Sequence, residues 1–246
     1  MLCLGKLNAD RSVVICPDIY YATPMLELSQ VSIFNTLSQS EAKEISPYFL
    51  QGKYRKKEAI FSEGDPSEWF YIVGKGKVKI TKLSHEGKEI ILEIISPLDF
   101  FGGVAVLRGF PYPANAVAME DTEVLKISRK NLMSIIDRFP NLMYCMATNI
   151  GDRIKGSHET LKSIALEKVE SRIASLLLKL SDKAGEKTSE GVAINMKLTK
   201  QDIAEMVGTT VETSIRTMSK LSKAGLVSTK AGKIVIKDIE KLKSLM

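Results

Sequence analysis

The chain has 246 residues, 44% of them hydrophobic and 26% charged, a balance that fits one large or two smaller globular cores and excludes collagen-like, disordered and disulfide-scaffold classes. No apolar run approaches the roughly 20 residues of a membrane span. The opening MLCLGKLNADRSVVIC is broken by Lys6, Asp10 and Arg11, so a cytoplasmic protein with no membrane partner is expected. Of the net charge of +6, residues 166–246 carry +5, with 15 Lys and Arg against 10 Asp and Glu, which concentrates the attraction for a polyanion in the last third.

Residues 1–25 show no sustained period and contain Pro17 and Pro24, which predicts a loosely docked arm. Leu26, Ile33, Leu37, Ile45 and Phe49 then recur at helical spacing, with Ser40 before Glu41 as the expected cap. From Lys53 to Ile127 short β-branched and aromatic runs are punctuated by glycine, as in EAIFSEGDP and WFYIVGKGKVKITKL. Gly64 and Gly87 stand where tight turns demand positive φ. Runs of this kind predict an antiparallel jelly roll or barrel.

Ser128 is placed to cap a short helix, NLMSIIDRF, and Pro140 to open a long one from Asn141 to about Ile164. Leu142, Met146, Ile150, Ile154, Leu161 and Ile164 form a narrow seam of the dimerising kind, the alternative being packing on the chain's own domain. Beyond it come a helix through SRIASLLLKL, the polar stretch SDKAGEKTSEG read as a loop, a run of helices, and a hairpin LVSTK/KIVIK with Gly232 at its turn. The division expected is an arm at 1–25, a sensor domain at 26–139, a dimerisation helix at 140–165 and a C-terminal domain at 166–246. The fold class expected is α+β.

The stretch LTKQDIAEMVGTTVETSIRTMSKLSKAGLV, residues 198–227, carries the function. Thr199 caps a first helix with Ile203, Ala204 and Val207 inward, Gly208 allows a sharp exit, and Thr210 caps a second helix. Ser214, Met218 and Leu221 face the first helix, so Val211, Glu212, Ile215 and Arg216 project outward as in a DNA-recognition helix. Arg216 can donate two hydrogen bonds to a guanine edge and Glu212 can accept one from cytosine, while Val211 and Ile215 offer only apolar contact to thymine methyls. Lys200, Thr209, Thr213 and Lys220 are expected at phosphates.

This stretch resembles the winged helix-turn-helix of the CRP/FNR family of bacterial transcription regulators. Upstream, FSEGDPSEWFYIVGKGKVKI, ISPLDFFGG and YPANAVAMEDTEVLKIS resemble the cyclic-nucleotide-binding-type barrel of the same family. The resemblance implies a homodimer joined along the long helix, a pseudo-palindromic double-stranded DNA site and contact with RNA polymerase, for which the loops SHEGKE and SDKAGEKTSEG are candidate surfaces. It matches Glu212 and Arg216 to the family's base-reading pair; Val211 is as in the FNR-type branch, and Ile215 departs from both branches. A sensor signal is expected to shift the long-helix seam until the two recognition helices are about 34 Å apart, one DNA turn.

In members that bind cyclic AMP, a glutamate holds the ribose and an Arg-Ser pair the phosphate. Here Gly103, after Gly102, stands at the glutamate position, and Pro113-Ala114, before Asn115, replaces Arg-Ser, so a cyclic phosphate loses its charge-assisted partners. Ser157 and His158 occupy the part of the long helix that closes over the ligand in those members. Cys3, Cys16 and Cys145 are scattered and none lies in a CxxC, which argues against a disulfide, a zinc site or an iron–sulfur cluster. A haem with axial ligands from His85, His158, Cys145 or the arm, or another small-molecule or gas effector, stays open. An enzyme is not expected, because P-loop, GxSxG, GxGxxG and HExxH patterns are all missing. The remaining alternative is a signal-binding module that acts through protein partners without DNA.

Overall fold

A computed structural model describes residues 28–230 and 232–246; the expected arm, with Cys3 and Cys16, lies outside the described residues. Residues 28–48 form 3₁₀ turns and one helix, α1 (Gln39–Ile45). Its cap is Ser38 rather than Ser40: the Glu41 N–H donates to Ser38 Oγ and the Ser38 N–H to Glu41 Oε2 at 2.8 Å. This reciprocal box needs a serine three residues before the glutamate, which only Ser38 satisfies.

The sensor region runs through β1 (Leu50–Tyr54), β2 (Ala59–Phe61), β3 (Trp69–Lys75), β4 (Val78–Leu83), β5 (Glu89–Ile95), β6 (Phe100–Phe101), α2 (Gly103–Arg108), β7 (Asn115–Ala118), β8 (Thr122–Ser128) and α3 (Arg129–Arg138). Two antiparallel four-stranded sheets, ordered β1-β8-β3-β6 and β2-β7-β4-β5, share one core in which Phe70, Ile72, Val78, Ala116 and Ile127 are fully buried. The expected jelly-roll class is what is found. Gly64 and Gly87 adopt positive φ as expected, and Ser128 accepts from the Asn131 N–H at the start of α3.

In the sensor region the backbone approaches closely at Gly76, φ 82°, where a Cβ would lie 2.7 Å from the Asp121 carbonyl oxygen. Gly76→Ala should therefore cost about 1–3 kcal/mol, read as a lower urea midpoint for the sensor region. Gly87→Ala shares the positive φ but meets nothing within 4 Å and should cost less. Equal losses at the two sites would show that the close approach is immaterial.

The long helix α4 (Asn141–Leu166) is present, and its expected seam is corrected in its first two turns. Leu142 and Met146 are buried in the sensor core, so they belong to the chain's own domain. The free stripe is Met143, Ala147, Ile150, Ile154, Ser157, Leu161 and Ile164, alternately four and three residues apart, a heptad pattern of which Ile150 is half-buried and Ile154 (51%) and Leu161 (66%) stand in solvent.

The C-terminal region holds α5 (Val169–Ala184), β9 (Gly185–Thr188), β10 (Gly191–Lys197), α6 (Lys200–Val207), α7 (Val211–Lys223), β11 (Val227–Lys230), β12 (Lys233–Ile236) and α8 (Ile239–Lys243). SDKAGEKTSEG is not a loop: Ser181–Ala184 finish α5, and the rest enters the β9–β10 hairpin of a sheet ordered β11-β12-β10-β9. All of β9 is exposed, so its composition is polar and its strand character comes from pairing alone. The hairpin β11–β12 forms as expected, with Gly232 at φ 77°. Ile173, Leu177, Ile203, Val207, Met218, Leu221, Val227 and Ile236 make this region's core, and Ile91 and Ile94 of β5 join it from the sensor side.

Candidate nucleic-acid interface and sensor cleft

The helix-turn-helix is built from local signals that agree with one another. Thr199 accepts from the Asp202 N–H at 3.0 Å while Asp202 accepts from the Thr199 N–H at 2.8 Å, a capping box that fixes the start of α6. Gly208 ends α6 in the left-handed region at φ 64°, and the Thr209 N–H closes the turn on the Ala204 carbonyl. Thr210 accepts from the Thr213 N–H at 3.2 Å and starts α7. Ser214, Met218 and Leu221 are buried against α6, as expected, which turns the opposite face of α7 to solvent.

On that face Val211, Glu212, Ile215 and Arg216 are all exposed within the first two turns. Neither Glu212 nor Arg216 forms an ion pair among the described residues, so neither would leave a partner to meet a base. Thr209 and Thr213 are half-buried beside the exposed cap Thr210, and the Thr213 and Thr210 hydroxyls are 3.0 Å apart. Lys200 is half-buried at the first position of α6, and burial pulls its ammonium below the ordinary lysine range. It lines a groove of about 280 Å³ between α7 and β11 with Ser219, Lys223, Ser228 and Thr229. Lys220 is exposed but paired with Glu170 of α5 at 2.7 Å.

The sequence reading missed Ser219, Lys223 and the wing residues Ser228 and Thr229. Glu212, Arg216, Ser219 and Lys223 are spaced four, three and four apart, so the helical period that selects the first pair also selects the other two. The wing residues carry no comparable signal, because their position depends on the sheet.

The residues expected around an effector lie in two different surroundings, Ser157 on a cleft and Gly102, Gly103, Pro113, Ala114 and Asn115 beside α2 and β7. Gly102 has φ 78° at the start of α2, with the Tyr112 ring 3.2 Å from where a Cβ would be. At buried Gly103 a Cβ would meet the Phe70 ring at 3.1 Å and Met146 at 3.4 Å, so a longer side chain is directed into packed core. Pro113 is exposed and Ala114 buried, while Asn115 is half-buried and accepts from the Glu63 N–H at 2.9 Å. Phe61 and Tyr112 stack at 3.7 Å, with Tyr71 and Phe101 beside them, and fill the interior between the sheets. The Tyr112 hydroxyl donates to the Trp69 carbonyl, and burial pushes its pKa up to about 12.

Ser157 lies elsewhere, on the wall of a cleft of about 570 Å³ where sensor, α4 and α5 meet. Ile80, Glu93, Asp99, Asn149, Asp152, Arg153 and Lys183 line it too, whereas Gly102, Gly103, Pro113, Ala114, Asn115 and His158 do not. Arg153 is committed: it donates to the Phe100 carbonyl at 2.6 Å, reaches Glu93 at 3.5 Å and lies over the Phe100 ring. Asn149 Oδ1 is buried without a hydrogen-bond partner. Burial raises Glu93, against the pull of Arg153 and Lys183. His85 is at the tip of the β4–β5 hairpin, while Cys145, which faces Asn35, and His158, which is exposed, lie 13 residues apart on α4. No cluster of three metal-binding side chains occurs among the described residues. No helix among them is long and apolar enough to cross a membrane.

Comparison with known proteins agrees with this architecture at both ends. Residues 51–139 match the cyclic nucleotide-binding domain and residues 171–245 the Crp-like helix-turn-helix domain. The chain is 27% identical over 213 residues to a cyclic AMP receptor protein of Thermus thermophilus, covering 87% of this chain and 95% of that one. It is 26% identical over 243 residues to the fumarate and nitrate reduction regulatory protein of Salmonella typhi, covering 98% and 94%. The solved structure of FixK2 from Bradyrhizobium japonicum superimposes with a TM-score of 0.71 at 25% identity, over 80% of this chain and 96% of that one. The chain therefore belongs to the CRP/FNR family of DNA-binding transcription regulators, not to an enzyme family.

Proposed function

We propose that this chain acts as a homodimer joined along the exposed α4 stripe and that its two α7 helices read a pseudo-palindromic DNA site. In this reading Arg216 and Glu212 bind the edges of one G·C pair, and Val211 and Ile215 touch neighbouring thymine methyls. Lys200, Thr209, Thr210 and Thr213 meet phosphates; Lys220 must first release Glu170, and Lys223 takes the larger share of that contact. RNA polymerase is the further partner, with the turn SHEGKE as one contact surface. The observation that carries the reading is the exposed start of α7, where Glu212 and Arg216 make no ion pair among the described residues, on a helix whose opposite face is buried. A salt-titrated mobility-shift assay tests it: affinity for a preferred palindrome should fall steeply with salt, log K against log salt being linear. A protein that binds every duplex equally would rule out sequence reading.

For the effector we propose the cleft beside Ser157 in place of the filled barrel interior. Its walls carry three carboxylates, Glu93, Asp99 and Asp152, against Arg153 and Lys183, and the guanidinium is already engaged. A phosphate placed there faces more repulsion than attraction, which supports an effector other than cyclic AMP. Millimolar cyclic AMP should leave DNA affinity unchanged in the same assay; a clear gain would assign cyclic AMP after all. A Soret band in the purified protein would place haem in the sensor instead.

A further inference from the structure

The recognition helix is held not only by its own domain but also by the sensor of the same chain. Lys79 on β4 reaches Glu89 on β5 at 2.5 Å and Glu205 on α6 at 3.4 Å. Glu205 is only 8% exposed, and its other oxygen accepts from Gln201 at 2.8 Å. Beside this charged contact Ile91 and Ile94 of β5 are buried in the same apolar cluster as Ile203 and Val207 of α6. One ammonium from the sensor is thus shared by a sensor carboxylate and a carboxylate of the helix-turn-helix, in a setting largely withdrawn from water. Burial works against the Lys79 charge, but its hydrogen bond to Glu89 and the attraction of Glu205 outweigh it and hold its pKa above the ordinary lysine value.

We infer that Lys79 and Glu205 are positioning residues for DNA reading: through them the β4–β5 hairpin holds α6, and with it α7, at a fixed angle to the long helix. The docked arrangement leaves the outward face of α7 free, so it presents that face for binding rather than covering it. Without the contact, the C-terminal domain swings on the break between α4 and α5 at Glu167–Lys168, and DNA must restore the order when it binds. The inference rests on the DNA-reading role of α7, and the test has one arm that needs no DNA.

Lys79→Glu should speed hydrogen exchange of the α6 amides and weaken binding to the preferred site about tenfold, within the range of coupling energies for charged residues in contact. The swap Lys79→Glu with Glu205→Lys again places one lysine between two glutamates, and both properties should return toward wild type. Glu205→Gln, which keeps the side chain's shape, should loosen α6 in the same direction by less, and it serves if Lys79→Glu does not fold. Unchanged α6 exchange in Lys79→Glu and in Glu205→Gln would overturn the inference. So would a swap as loose as the single variant, or DNA affinity that stays at the wild-type level while α6 exchange rises. Wild-type protein that binds no DNA but shows the exchange pattern would keep the coupling of sensor to α6 and sink the role of α7 instead.

Discussion

With Ile154 and Leu161 both changed to lysine, the protein should sediment as a monomer and lose about 10²–10⁴-fold in affinity for a palindromic site, the gain that linking two binding modules typically confers. In a parallel two-helix seam the heptad stripe of α4 meets its own copy, so the double variant puts four ammonium groups into one narrow interface. Desolvating like charges there without partners is costly enough to prevent association. Each half-site must then be found independently. Within a single chain both side chains stand in solvent, so the variant should keep the wild-type circular dichroism, and its unfolding midpoint should fall only by what dimerisation contributes and no longer depend on protein concentration. Leu142→Lys, about three turns before Ile154 on the same helix, is the contrasting control: that residue is 1% exposed in the sensor core, and the charge should unfold the domain rather than separate the dimer. A double variant that remains dimeric would show that the α4 stripe is not the interface.

What could be read in advance divides by how local the determining physics is. The helix-turn-helix was legible because each step is set within a few residues: Thr199 and Thr210 as caps, Gly208 for the left-handed exit, and helical spacing for the buried Ile203, Val207, Met218 and Leu221. The sensor was legible as a class but not as a topology, because nothing local tells Gln51 that it will pair with Leu125 across the whole domain. Helix α2 was invisible: its six residues lie between two positive-φ glycines and are apolar on several sides, too few to show a period. The α4 stripe was displaced by one residue at its start because apolar positions on both faces are filled there, one face for the sensor and one for solvent, and periodicity cannot assign them. The surroundings of the effector candidates were hidden for a related reason. A cassette read along the chain cannot reveal that Phe61, Tyr71, Phe101 and Tyr112 pack on one another between the sheets, or that Ser157 opens onto a cleft made with the C-terminal domain.

Arg216→Ala should cost about 1–3 kcal/mol at the preferred site and relax the choice at one base pair, while non-specific binding and its salt slope stay nearly unchanged. The side chain is exposed on α7 and makes no ion pair among the described residues, so its removal leaves no buried charge behind and the fold should not respond. The loss is thus a reading loss, visible as a flattened preference when that base pair is varied. Lys223→Ala separates the two kinds of contact, because a point charge at a phosphate carries no sequence information: it should weaken all duplexes alike and reduce the salt slope by about one. Glu212→Ala belongs with Arg216→Ala if the two share one G·C pair, and the double variant should then lose less than the sum of the singles, since contacts at a common base pair are not independent. Full additivity, with preferences altered at two separate base pairs, would mean that Glu212 and Arg216 read different positions and that the half-site is longer than the pairing implies.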